Sequence, residues 1–175
     1  MEEKMNSLKH VSAIAAVALA LAIVPTLAFG QNNDRSDNSA HPKNALVGSW
    51  EIAASNTYDC ATGQPDGAPP TPINYTFNLG GTMTEIEANA IDGPYRSSAQ
   101  GIWQHLSGNR YFAAFTNYSF NPDRTHAVTI KYRTYLTLSW DKQSFTERGT
   151  AEVRIPDGTV VANVCFADTG TRFTF

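Results

Sequence analysis

The chain has 175 residues, 13 Lys and Arg against 16 Asp and Glu, a formal net charge of −3 and only two cysteines. Its charges are scattered, so the basic patch of a nucleic-acid binder is missing. Four histidines without ligand spacing and two distant cysteines match no zinc motif, so neither a metal nor a cofactor is expected. Gly-x-Ser-x-Gly, a Gly-rich phosphate loop and His-Glu-x-x-His are all missing, which leaves the common hydrolase and nucleotide chemistries without a motif.

Residues 1–30 read as a signal peptide. Lys4 and Lys9 precede an uncharged apolar run from Val11 to Val24, and Ala28-Phe29-Gly30 offers small residues at a cleavage site. That run has 14 residues, short of the ~20 needed to cross a bilayer, although an uncleaved anchor is the alternative. Residues 31–43, rich in Asn, Asp and Ser, are expected to form a disordered leader. Residues 44–175 are left as one domain. Export, to the periplasm or outside the cell, implies an oxidising compartment, so Cys60 and Cys165 are expected to pair. The bridge would close a loop of about 105 residues, worth ~4–5 kcal/mol in the chain-entropy account. Two buried thiols are the alternative. No membrane span is expected after cleavage.

Within the domain, strand periodicity dominates. The first strand, residues 46–54, puts Leu46, Gly48, Trp50 and Ile52 on one parity. The irregular stretch from Asn56 to Pro72 holds Gly63, Pro65, Gly67, Pro69 and Pro70, and reads as a lid or a slack connection. Residues 73–79 alternate cleanly, and Gly80-Gly81 turns them into a strand over 82–90. Asp92-Gly93-Pro94 breaks the chain, and strands over 101–106 and 111–120 follow. The clearest signal is 124–140, where Val128, Ile130, Tyr132, Leu136, Leu138 and Trp140 alternate with Thr129, Lys131, Arg133, Thr137 and Ser139. Strands over 145–155 and 160–166 come next. Asp168-Thr169-Gly170 reads as a turn before a last short strand over 172–175. Helical spacing is absent after residue 30. The result is an all-β fold: an antiparallel up-and-down β-barrel of eight to nine strands, because short sequential connections favour closure over a two-sheet sandwich.

Gly48-Ser49-Trp50 at the head of the first strand resembles the Gly-x-Trp signature of lipocalins and the wider calycin group. Arg172 resembles the arginine that stacks on that tryptophan at the closed end of those barrels. The resemblance is to a bacterial lipocalin-like domain, and it implies that first and last strands are neighbours. Such a stack is worth ~0.5–2 kcal/mol.

If the parity of Tyr132 faces inward, Tyr75, Phe77, Phe112 and Tyr118 join it in an aromatic interior suited to a small hydrophobic ligand. A filled core of packed rings is the alternative. Glu147 shares the apolar parity of Phe145, Ala151 and Val153, where a carboxyl would have a raised pKa and could bind ligand or move a proton. It could instead sit at a rim, paired with Arg or Lys. His105, on the parity of Trp103, is a second acid–base candidate or a solvent-facing residue, and Glu85 and Glu87 read as a solvated stripe. The leading expectation is an exported barrel that binds a small hydrophobic molecule non-covalently. The alternatives are a barrel cyclase or isomerase using Glu147 or His105, and a filled structural or interaction module.

Overall fold

The computed structural model describes residues 43–67, 69–88 and 95–174. The expected signal peptide, and the leader up to residue 42, lie outside them. Ten strands run in chain order: β1 (Gly48–Ser55), β2 (Thr57–Asp59), β3 (Thr71–Phe77), β4 (Thr82–Glu87), β5 (Tyr95–Arg96), β6 (Ala99–Ser107), β7 (Arg110–Phe120), β8 (His126–Leu138), β9 (Ser144–Arg154) and β10 (Val160–Arg172). Eight of them, in the order β1-β3-β4-β6-β7-β8-β9-β10, form one antiparallel sheet. It closes through pairing of Trp50 with Arg172 and Glu51 with Thr171. Closure leaves none of the eight strands with an open ladder along its whole length, which suits long strands such as β8 and β10, of 13 residues each. The two short strands are additions: β2 continues along β10, and β5 along the end of β7.

One end of the barrel is plugged. Leu46, Trp50, Phe77, Met83, Tyr111, Leu138 and Phe145 are all at most 1% exposed there. The Arg172 guanidinium lies 4.1 Å from the centre of the Trp50 ring. It donates to the carbonyls of Lys142 (2.9 Å), Val47 (2.8 Å) and Ala45 (2.6 Å), so it also ties the chain entering β1 to the β8–β9 turn. Trp50 Nε1 donates to the Leu46 carbonyl at 2.9 Å, and the edge of Phe145 meets the indole at 5.1 Å between centres. Gly48 is required here. Its φ of +134° is a backbone that L side chains rarely adopt, and a Cβ would stand 2.6 Å from Arg172 Nη1.

Three expectations need correction. Residues 168–170 are not a turn; β10 runs through them. Asp168 accepts hydrogen bonds from Ser55 Oγ (2.8 Å) and Asn56 N (2.9 Å), filling the gap where β1 has left the ladder and β2 has not begun. Gly170 serves close packing rather than a bend, since a Cβ there would run into the Phe145 ring. Trp140, placed with the buried parity, lies beyond the end of β8 and is 77% exposed. The loop from Asn56 to Pro72 is partly ordered as strand, because Cys165, next to Phe166 on β10, holds Cys60 in a disulfide with Cα atoms 5.0 Å apart. Asp59 then accepts from Ala61 N, Thr62 N and Thr62 Oγ1 and fixes the following turn.

Candidate functional site

Above the plug the barrel is hollow. A cavity of about 340 Å³ opens toward the end opposite Trp50. Its size falls at the small end of ligand pockets, which run from roughly 300 to 1,000 Å³. Ile73, Phe115, Ile130, Tyr132, Val164 and Phe166 supply most of the apolar wall. Phe115 and Tyr132 stack at 4.7 Å with 12° between planes, and Phe166 meets Tyr132 edge-on at 6.1 Å. Thr57, Asp66 and Pro69, from the segment between β1 and β3, line it at the mouth, so the disulfide anchors one flank of the entrance.

The lower wall of the cavity and the layer just behind it are acidic. Asp168 and Glu147 are direct cross-strand partners on β10 and β9. Glu85 on β4 is the cross-strand partner of Tyr75 on β3. All three carboxyls are at most 7% exposed. Glu147 Oε2 accepts from Thr134 Oγ1 at 2.9 Å. Its Oε1 and Glu85 Oε2 have no hydrogen-bond partner among the described residues. Burial pushes the Glu147 carboxyl up to about 8, against the bond from Thr134, which favours the charged form. Burial likewise lifts Glu85 to about 7, helped by the like charge of Glu87 and opposed by Arg96. Asp168 is also raised by burial, while Asn56 and Ser55 hold it down. The Tyr75 hydroxyl, buried among these groups, is kept protonated far above its ordinary range. Nearer the mouth, Arg96 forms an ion pair with Glu87, which also accepts from Thr71 Oγ1 at 3.0 Å.

The sequence-derived candidates are distributed unevenly around this cavity. Tyr75 and Tyr132 line it. Phe77 is one step lower, in the plug, edge-on to Trp103 at 6.1 Å. Phe112 and Tyr118 are corrected: both stand on the outer face. Phe112 packs on Tyr135 at 5.2 Å and Tyr118 on His126 at 5.8 Å, and Tyr118 is 47% exposed. Strand β7 carries aromatic rings on both parities, and the odd one, with Tyr111, Ala113 and Phe115, turns inward. Glu147 is not at a rim or paired with a cation; it is 2% exposed and sits behind the cavity wall. His105 lies near the end of β6, with Nε2 2.8 Å from the Gly108 carbonyl and its ring against Tyr111, outside the cavity. Glu85 and Glu87 are no solvated stripe, since their parity is that of the buried Met83.

Compared with protein-family models, with curated proteins and with solved structures, the chain matches none.

In the sequence Glu85 reads as solvated and Asp168 as part of a turn, and Phe115, Phe166 and Arg96 are not among the sequence candidates. For two of them the turn misleads. In an antiparallel pair, directly opposed residues share a face, and a two-residue turn at Gly80-Gly81 would put Ile86 opposite Tyr75; the connection instead spans Leu79, Gly80 and Gly81, with Asn78 bonded to Thr82, which sets Glu85 opposite Tyr75 and Met83 opposite Phe77. Phe115 comes opposite Tyr132 through a register shift between Ser119 and Phe120 that the turn residues do not announce. Ion pairing of Arg96 with Glu87 had no sequence signal, because β5 is only two residues long.

Proposed function

We propose that the chain is an exported, lipocalin-like barrel that binds one small, largely apolar molecule in the cavity above the Trp50 plug. The observation that carries this reading is the hollow itself: about 340 Å³, walled by stacked aromatic and branched side chains and open at one end. A barrel needed only as a structural module would fill that space, since interiors pack densely and voids are costly. The Trp50–Arg172 stack and the β1–β10 closure support the lipocalin-like likeness. The disulfide fits an oxidising compartment outside the cytosol.

The test is titration with N-phenyl-1-naphthylamine, a neutral apolar fluorophore. One site of micromolar affinity is expected, corresponding to about 8 kcal/mol. Ala151→Phe, which projects a ring into the cavity from a wall residue, removes binding, whereas Lys131→Ala on the outer face leaves it unchanged. Unchanged binding by Ala151→Phe places the dye elsewhere and ends this reading.

A second reading, proton-transfer catalysis in the same cavity, is favoured by one observation. Glu85 lines the cavity, and burial raises its carboxyl to about 7, where a general acid–base group works best at neutral pH. Glu147 and His105 do not line the cavity, so Glu85 replaces them as the candidate. Turnover lost in Glu85→Gln with fluorophore binding retained would identify it.

A further inference from the structure

The geometry points to a ligand that carries a protonated amine on an apolar body, with Glu85 as its anchor. This rests on the binding reading above and narrows it to a chemical class. Glu85 is 3% exposed, lines the cavity, and leaves Oε2 without a hydrogen-bond partner among the described residues. A buried acceptor left open is costly, and the group that satisfies it best is a charged donor. The apolar wall of Phe115, Tyr132 and Phe166 begins beside it, so a short aromatic amine can fill both parts at once.

The surrounding charges favour the same class. Around Glu85 are Tyr75 from β3, Glu87 from its own strand, Arg96 from β5, Tyr132 from β8 and Glu147 from β9, with Asp168 of β10 beside Glu147. Among them Arg96 is the single cation, and it is ion-paired with Glu87. An anionic ligand, such as a fatty carboxylate, would meet like charges that nothing in this set offsets. A cation at Glu85 instead offsets the like charge of Glu87. Cation binding therefore favours the charged form of Glu85, whose carboxyl burial raises to about 7, and the affinity for an amine rises as pH passes upward through about 7.

The experiment is calorimetric titration of the disulfide-intact protein at pH 7 with 4-phenylbutylamine, 4-phenylbutan-1-ol and 4-phenylbutyrate, three probes of one shape. The amine is expected to bind at least tenfold more tightly than the alcohol, and the carboxylate more weakly than the alcohol. Repeating the amine titration in buffers of different ionisation enthalpy should show net proton release, and the alcohol none. Glu85→Gln should bring the amine down to the alcohol, while Lys131→Ala on the outer face should leave the amine preference and N-phenyl-1-naphthylamine binding within twofold. An alcohol that binds as tightly as the amine, or a Glu85→Gln protein that keeps the preference, overturns the inference. If the fluorophore binds but the three probes show no ranking, only the amine class is lost. If neither the fluorophore nor any probe binds, the binding reading falls with it. Should Glu85→Gln fail to fold, the ranking and the proton count on the unaltered protein decide.

Discussion

Removing Trp50 tests whether one stack locks the barrel. Trp50→Ala deletes a fully buried ring that touches Phe145 at 5.1 Å and Arg172 at 4.1 Å, in a plug too tightly built to collapse into the space. A cost of about 3–5 kcal/mol is expected, a large share of the 5–15 that holds a typical domain. Arg172→Ala strands three carbonyl acceptors, those of Lys142, Val47 and Ala45, and removes the cation from the ring. At ~1 kcal/mol for each bond and for the stack, its cost is about 4 kcal/mol, close to that of the tryptophan. The two residues share only the stack, because the carbonyl bonds do not need the indole. The double variant should therefore fall short of the sum by about 1 kcal/mol. Urea melts of the four proteins, each followed by far-ultraviolet dichroism and near-ultraviolet signal, supply the cycle. Strict additivity would mean that the guanidinium acts through the carbonyls alone, and the stack would then give no support to the lipocalin-like likeness.

Other outcomes follow from the same structure. Glu147 is raised to about 8 when folded, against an ordinary value of 4.5, so the fold binds its proton more tightly than the unfolded chain does. Its stabilising effect is present in full below about 4.5 and is lost as pH rises through about 8; melting temperature should fall between pH 5 and 8, and Glu147→Gln should flatten that slope. Replacing Cys60 and Cys165 together with Ser opens a loop spanning 105 positions and should cost ~4–5 kcal/mol in chemical denaturation. The same change should quicken fluorophore release in stopped flow, because the bridge anchors one flank of the mouth. Intact mass of the exported protein should correspond to a start near Gln31; a mass that retains residues 1–30 in a membrane fraction would mean an anchor instead.

The fold was largely legible in the sequence because strand parity is a local signal. Residues 126–138 alternate so cleanly that the buried face of β8 follows from spacing alone, and Gly48, Trp50 and Arg172 announced the closure. Reading failed where one residue type served two purposes. Asp168-Thr169-Gly170 has the composition of a turn, yet Asp168 caps a gap in the neighbouring ladder and Gly170 yields to a ring. In β7, with Phe112 and Tyr118 on one parity and Tyr111 and Phe115 on the other, apolarity alone could not choose. The partner strand chooses, because Tyr132 is opposite Phe115.

The carboxyls were hidden for a related reason. Glu85 and Glu87 look solvated because glutamate usually is, and the exposed Ile86 between them makes the wrong face look apolar. Burying an ionisable group without a charged partner costs stability, and the raised values of Glu85 and Glu147 are the measure of that cost. Glutamine or leucine at either position would fill similar volume without it. A barrel whose interior served packing alone has no use for two such groups beside a hollow, and an unsatisfied acceptor on a residue that lines the hollow gains most when a ligand donates to it. On the binding reading proposed above, the destabilising residues and the empty volume are two aspects of one arrangement: room and polarity for a molecule that the chain itself does not supply.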